Sequence, residues 1–147
     1  MSHVNRINII KSIPSALEAF GSVEALLEAS KLDGLLRHLV KLRVSQINGC
    51  AYCVSMHTKE ARADGESNER LDHLVVWRQV DLYSDAEKAA LAWAEALTTR
   101  GEGADLDVLH GALAQHFSSD EIDLLMLVVV MINTWNRLQI ANHNATF

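Results

Sequence analysis

The chain has 147 residues and a formal net charge of −6, and its acidic and basic residues are mixed without a run of Lys or Arg. This pattern disfavours a nucleic-acid or anionic-membrane partner, and the length suits one domain, predicted over residues 1–147, with a single core. With one proline and seven glycines there are few helix breakers, which favours an all-α fold.

Capping residues divide the first half of the chain into three predicted helices. The first is expected from Ser15 to Ser30, and Gly21 marks a candidate break in it. Asp33 is a suitable N-cap for the second helix. Asn48-Gly49 ends that helix, because both residues tolerate the left-handed conformation found at helix C-termini. A third helix is expected from about Cys50 to Ala63.

The second half of the chain predicts further helices. Ser67 is the N-cap of one that extends to Trp77, and Ser84 opens the next with the Ser-x-x-Glu form of a capping box. Another helix is expected from Asp105 to Phe117, after a loop at Gly101–Ala104. No stretch shows the apolar alternation of a half-buried strand bounded by turn residues.

The last predicted helix is capped by Ser118 or Ser119, extends to about Ala141 and is apolar on most sides, so we expect it at the bundle centre or at a subunit interface. Its Asn133 and Asn136 need hydrogen-bond partners there, either on a neighbouring helix or across a subunit boundary.

We predict a cytoplasmic protein that does not enter the membrane. The longest apolar run, Leu124 to Ile132, is far shorter than the roughly 20 residues of a membrane span. The segment from Met1 to Lys11 has neither the apolar core nor the cleavage site of a signal peptide.

Both cysteines of the chain lie in one motif, Cys50-Ala51-Tyr52-Cys53, which His57 follows. In a helix that starts near Cys50, both thiols lie in the first turn, where free backbone N–H groups and the helix dipole favour a thiolate. His57 shares a helix face with Cys53, so it can accept the thiol proton or stabilise the thiolate. The dipole favours Cys50 as the more acidic thiol and His57 favours Cys53, and the spacing leaves this choice open.

Two thiols three residues apart on a helix can close a disulfide, as two-electron redox cycles require. Three other interpretations are weaker. In the first, the two cysteines are buried and inert. In the second, they bind zinc with His57 and with His38 or His73 as the fourth ligand, but the sequence lacks the second, distant pair of ligands that structural zinc sites usually have. In the third, the motif is a thioredoxin-type site, but such a site follows a strand, and no strand is predicted here. We predict no bound metal and no cofactor.

The segment Leu42–Cys53, with His57 after it, closely resembles the alkylhydroperoxidase D core of the carboxymuconolactone decarboxylase superfamily. Trp77-Arg78, Tyr83–Ala92 and Ile132–Arg137 also resemble that family, so the resemblance covers about residues 15–141. It implies a single-domain, all-α helical bundle of the alkylhydroperoxidase D-like type, assembled into a homotrimer or homohexamer. It also implies an antioxidant oxidoreductase, a thiol-dependent hydroperoxide reductase with a redox-active disulfide.

The resemblance further implies a role for each residue of the motif. Cys53 attacks the hydroperoxide, Cys50 resolves the resulting sulfenic acid into a disulfide, and His57 belongs to a proton relay. A dithiol reductant, for which lipoyl-type proteins are the family precedent, then regenerates the thiols.

His38 is a departure from the family pattern, which has a relay glutamate twelve residues before the first cysteine. A histidine there can replace the glutamate as a base, can weaken the relay, or can be an exposed residue without a role. Our hypothesis is that His38 faces the thiols.

Two alternative functions stay open at this point. One is a redox sensor or disulfide reductase without efficient peroxidase turnover. The other is a carboxymuconolactone decarboxylase-like enzyme, although that chemistry does not need the paired Cys50 and Cys53.

Overall fold

The computed structural model describes residues 6–101 and 103–142, and within them all regular structure is helical. The elements in chain order are α1 (Ile9–Ser12), α2 (Pro14–Glu28), α3 (Gly34–Asn48), α4 (Ala51–Ala63), α5 (Asn68–His73), a 3-10 helix (Leu74–Gln79), α6 (Asp85–Thr99), α7 (Leu106–Ala114) and α8 (Ser119–Asn142). Because these ranges contain no strand, the all-α prediction is confirmed. The single-domain extent and the homo-oligomeric assembly stay predictions.

Helix α3 lies at the centre and packs against α4, α6 and α8. The apolar residues of α3 belong to two clusters of the hydrophobic core. Val40 and Val44 contribute to a cluster with α6 and α8, whereas Leu39 and Leu42 contribute to a second cluster that includes the 3-10 helix. Helix α3 is thereby held on several sides, which fixes the residues that it presents toward α4.

The predicted helix boundaries around the motif are confirmed. Asp33 caps α3 by accepting a hydrogen bond from the backbone N–H of Leu36 at 2.8 Å. Gly49 ends α3 in the left-handed region with φ of 71°, a conformation that costs an L residue about 1 kcal/mol or more. The Ser84–Glu87 capping box is formed, and the backbone N–H of Glu121 donates to Ser118 Oγ at the start of α8.

Three local features differ from the sequence expectation. Helix α2 continues through Gly21, since an isolated exposed glycine weakens a helix without having to end it. The segment Ser67–Trp77 changes from α5 to a 3-10 helix at Leu74, where the β-branched pair Val75-Val76 disfavours the α form. Val76 departs from helical backbone angles within this segment, and Leu74 and Trp77 on either side of it are both buried. The short α1, capped by Asn8, was not predicted.

Asparagine side chains join α8 to the end of α3. The Asn48 amide donates to the oxygens of Asn133 and Asn136, each at 2.9 Å. The Asn136 amide in turn donates to Ser45 Oγ at 3.0 Å. The two asparagines of α8 therefore find their partners on a neighbouring helix, next to the turn that leads to Cys50.

Helix α8 is long and apolar enough to cross a membrane by length and composition, a test that the core helices of soluble proteins also pass. It packs here against α2, α3, α4, α6 and α7. The residues that it buries are Ile122, Leu125, Val128, Val129, Met131, Ile132 and Asn136. The cytoplasmic location stays a prediction.

Candidate active site

The turn between α3 and α4 places both cysteines at the start of α4. Cys50 is the N-cap residue of α4, and its Sγ accepts a hydrogen bond from the backbone N–H of Cys53 at 3.3 Å. The predicted placement of both sulfur atoms in the first turn is confirmed. The two residues are joined in a disulfide, with their Cα atoms 5.3 Å apart, so this is the oxidised form of the pair.

Cys53 borders a cavity of about 600 Å³ between α2, α3, α4 and α8, whereas Cys50 is absent from the described residues that line it. Both cysteines are almost fully buried, at 2% and 1% exposure. A small molecule in the cavity therefore approaches the disulfide from the Cys53 side.

His57 and Glu60 form a hydrogen-bonded pair on the face of α4 that carries Cys53. His57 Nδ1 lies 2.8 Å from Glu60 Oε2. The hydrogen bond to His57 lowers the pKa of Glu60, against a smaller opposing effect of its partial burial. An ionised carboxylate can only accept hydrogen bonds, so Nδ1 is the donor and Nε2 carries the lone pair of the neutral ring. His57 Nε2 is buried and has no hydrogen-bond partner among the described residues.

His38 and Asp64 form a second histidine–carboxylate pair, between α3 and the C-terminal end of α4. His38 Nε2 lies 2.6 Å from Asp64 Oδ2, and His38 Nδ1 is buried without a hydrogen-bond partner among the described residues. Both residues line the same cavity as Cys53 and His57. The structure therefore brings together Cys53, His57 and His38 around one cavity, with Cys50 behind Cys53.

The remaining cavity wall combines charged and apolar side chains. Glu24 of α2 accepts hydrogen bonds from Lys41 Nζ at 3.1 Å and from Trp135 Nε1 at 2.8 Å. Other lining residues are Glu28, Arg37, Tyr52, Met56, Ile132 and Gln139. The cavity wall is thus charged at several points and apolar at Met56 and Ile132.

Glu60, Asp64 and Glu24 are site residues that were not predicted from the sequence. Glu60 carries a usable signal, since it follows His57 by three residues and must share its helix face. Asp64 extends the same face by one turn. Glu24 has no such signal, because its place in the cavity depends on how α2 packs.

No group of three or more His, Cys, Asp and Glu side chains within residues 6–101 and 103–142 is arranged to hold a metal ion. His73, one of the two histidines considered as a fourth zinc ligand, hydrogen-bonds the backbone of Glu69 on α5 and does not line the cavity. The zinc interpretation therefore gains no support from the arrangement of these residues.

Comparison with known proteins finds that residues 13–96 match the model of the carboxymuconolactone decarboxylase family. The Bacillus subtilis protein YdfG is 35% identical over 139 residues, which cover 95% of each chain. The residues that match the family model include the segment from Cys50 to His57.

Solved structures also share the fold. One is the Agrobacterium tumefaciens protein ATU0492, a protein of unknown function suggested to be the antioxidant defence protein AhpD. It is 40% identical with a TM-score of 0.89, and the match covers 95% of this chain and 96% of that one. The debrominase Bmp8, solved with 2,3,4-tribromopyrrole, has a TM-score of 0.81 at 22% identity, over 91% of this chain and 72% of its own. At that identity Bmp8 supports the fold alone.

Proposed function

The chain belongs to the carboxymuconolactone decarboxylase family as an alkylhydroperoxidase D-like member, and we propose that it is a thiol-dependent hydroperoxide reductase. The single observation that carries this proposal is the Cys50–Cys53 disulfide with only Cys53 bordering the cavity. A reversible dithiol next to a substrate-sized cavity supports redox chemistry on a small molecule.

In the first step Cys53 is the nucleophile. His57 Nε2 accepts the Cys53 thiol proton, and the thiolate attacks the terminal oxygen of the hydroperoxide. The O–O bond breaks, Cys53 becomes a sulfenic acid, and the departing alkoxide takes the proton from the His57 imidazolium. The peroxide is thereby reduced to an alcohol while one sulfur is oxidised.

In the second step Cys50 resolves the sulfenic acid. Its thiolate attacks Cys53 Sγ, the S–O bond breaks, and the oxygen leaves as water once it has gained a proton. The position of Cys50 at the N-cap of α4 supports this role, since the backbone N–H of Cys53 and the helix dipole both favour negative charge on Cys50 Sγ. The product is the disulfide seen in the structure.

A dithiol reductant closes the cycle. Its thiolate attacks Cys53 Sγ from the cavity, the S–S bond breaks, and Cys50 leaves as a thiolate at the N-terminus of α4. The second thiol of the reductant then attacks the mixed disulfide and frees Cys53. The reductant ends as a disulfide, so the electrons that reduced the peroxide are replaced. A lipoyl-type dithiol is our candidate reductant.

The test is stopped-flow oxidation of the reduced protein by hydrogen peroxide and by an organic hydroperoxide, with Cys53→Ser and Cys50→Ser beside the wild type. We expect oxidation far faster than that of an ordinary free thiol, lost in Cys53→Ser. In Cys50→Ser a sulfenic acid should be trapped on Cys53, because no second protein thiol remains to convert it into the intramolecular disulfide. Oxidation of the wild type at the rate of a free thiol would contradict the proposal.

The presence of His38 in place of the family's relay glutamate favours a second candidate, a disulfide reductase or redox sensor with slow peroxide turnover. Both candidates use the Cys50–Cys53 disulfide, and they differ in the rate at which the reduced protein reacts with peroxide. An enzyme that reduces a disulfide substrate rapidly but reacts with peroxide no faster than a free thiol would be the second candidate.

A further inference from the structure

We infer that Glu60 is a positioning residue that holds His57 in the tautomer whose Nε2 accepts the Cys53 proton. Glu60 would thus supply a carboxylate to the proton relay from α4. The family's relay glutamate occupies a different position, at which this chain has His38. The inference rests on the proposed function for the step that His57 serves, although the state of the ring can be measured without any turnover.

The geometry of α4 places Glu60 where it can orient His57. Cys53, His57 and Glu60 are spaced by four and three residues, so they follow one another along one face of the helix. His57 is nine-tenths buried, which restricts its ring to few orientations. Its contact with Glu60 Oε2 at 2.8 Å is a normal hydrogen bond.

The tautomer of the His57 ring decides which nitrogen can act as the base. A neutral imidazole can place its hydrogen on either nitrogen, and only the nitrogen without hydrogen can accept a proton. The Glu60 carboxylate cannot donate, so it selects the tautomer with hydrogen on Nδ1. Nε2 is then left as the base, and it is the nitrogen that is buried without a partner. This is the role that an orienting carboxylate has in catalytic triads.

The charges around Glu60 support its ionised state. The hydrogen bond from His57 lowers the pKa of Glu60 and the positive charge of Lys41 lowers it further, whereas partial burial opposes them. Lys41 and His38 lie on α3, which packs against α4 on this side. Asp64 is the other acidic group on this wall of the cavity, and it is bonded to His38.

The variant that tests the inference is Glu60→Gln. Glutamine has the same size, yet its amide can either accept from Nδ1–H or donate to Nδ1, so it no longer selects one tautomer. The ring state is read from the 15N signals of His57 in the disulfide form. We expect one tautomer with hydrogen on Nδ1 in the wild type and in Glu69→Gln, an exposed glutamate of α5, and a mixture in Glu60→Gln.

The kinetic measurement is the second-order rate of oxidation by hydroperoxide. We expect Glu60→Gln to lower this rate about 10- to 100-fold, a part of the effect of a general base, while Glu69→Gln stays within about twofold of the wild type. An unchanged His57 tautomer together with an unchanged rate in Glu60→Gln would overturn the inference.

Failure of the proposed function and failure of the role inferred for Glu60 give different results. If the wild type reacts no faster than a free thiol, the proposed function fails, and the 15N signals alone decide whether Glu60 sets the His57 tautomer. If the wild type reacts rapidly and Glu60→Gln reacts equally rapidly with the tautomer unchanged, the proposed function stands and the role of Glu60 is rejected.

Discussion

His38 differs from an ordinary surface histidine in two respects. Its side chain is only 15% exposed, and it lines the cavity that Cys53 borders. Its position supports our hypothesis that it faces the thiols. Nε2 is occupied by Asp64, and Nδ1 is buried without a hydrogen-bond partner among the described residues.

We therefore expect His38→Ala to lower both the rate of peroxide reduction and the fraction of Cys53 thiolate at neutral pH. The variant removes a hydrogen-bonding ring and leaves the negative Asp64 without its partner, and both changes disfavour a nearby anion. The expected decrease in rate is about 3- to 10-fold, less than for a direct base.

The thiolate fraction is measured by ultraviolet absorbance in a Cys50→Ser background, where Cys53 is the only thiol. His116→Ala, which changes an exposed histidine at the end of α7, is the matched control. If His38→Ala leaves both the thiolate fraction and the rate as in the control, His38 has no role in the site.

The site residues fall into those that local sequence patterns identify and those that depend on packing. Cys50, Cys53 and His57 could be predicted, because a turn signal and a four-residue spacing place them at one helix end. Glu60 could have been predicted by the same spacing. Glu24 could not, since its contact with Lys41 joins two helices and depends on how α2 lies on α3 and α8.

At the scale of the elements, boundaries set by caps were predictable and internal changes of helix type were not. The end of α3 at Gly49 and the capping box at Ser84 are local events that depend on a few residues. The 3-10 helix at Leu74 depends on the local preference of Val75-Val76 and also on burying Leu74 and Trp77 against α3 and α6. Periodicity along the chain does not contain that information.

Helix α6 is tied to α5 by an ion cluster in which Arg70 bridges Glu66 and Glu87. Burial raises the pKa of Glu87, but hydrogen bonds from Arg70 and Ser84 outweigh it, so the pKa is lowered overall. A carboxyl whose pKa is lowered by folding contributes stability above its unfolded pKa, near 4.5. That contribution is lost as the pH falls through the lower folded value.

We expect Glu87→Gln to reduce the free energy of unfolding by about 1.5–3 kcal/mol at pH 7, the range for a hydrogen bond to a charged group. The difference from the wild type should shrink as the pH falls below about 4.5 and through the lowered folded pKa of Glu87, where the wild-type carboxylate becomes protonated. Urea denaturation at a series of pH values measures this, with Glu69→Gln as the control. A difference that does not change with pH would show that the effect of Glu87 is not one of charge.

At the scale of the whole molecule, apolar side chains remain exposed on several helices, among them Leu26, Val108 and Val130. The homotrimer or homohexamer predicted from the family resemblance would use such surface. Sequence reasoning could place α8 at the centre or at an interface, and α8 both packs in the core and exposes Leu127 and Val130. A single helix can serve both purposes because its buried and exposed faces lie on opposite sides.

The cavity brings together charges from distant parts of the chain. Glu24, Glu28, Glu60 and Asp64 line it, against the cationic side chains of Arg37 and Lys41. Carboxylates therefore outnumber cations while both histidines are neutral. The net negative charge of the cavity repels an anionic substrate or reductant that approaches the disulfide, and this repulsion should weaken as the salt concentration rises.

We accordingly expect the disulfide form to be reduced faster by dihydrolipoamide than by dihydrolipoate, two dithiols that differ in one negative charge. The expected ratio is about 3- to 10-fold at low ionic strength and smaller in high salt. Reduction of a small uncharged disulfide by each dithiol corrects for their intrinsic reactivity.

Glu28→Gln, which removes an exposed carboxylate of the cavity wall, should reduce the ratio, because it weakens the repulsion without changing the sulfur chemistry. Equal corrected rates for the two dithiols at low ionic strength would mean that the cavity charge does not select the reductant, and the dithiol would then be chosen by shape or by a separate docking surface.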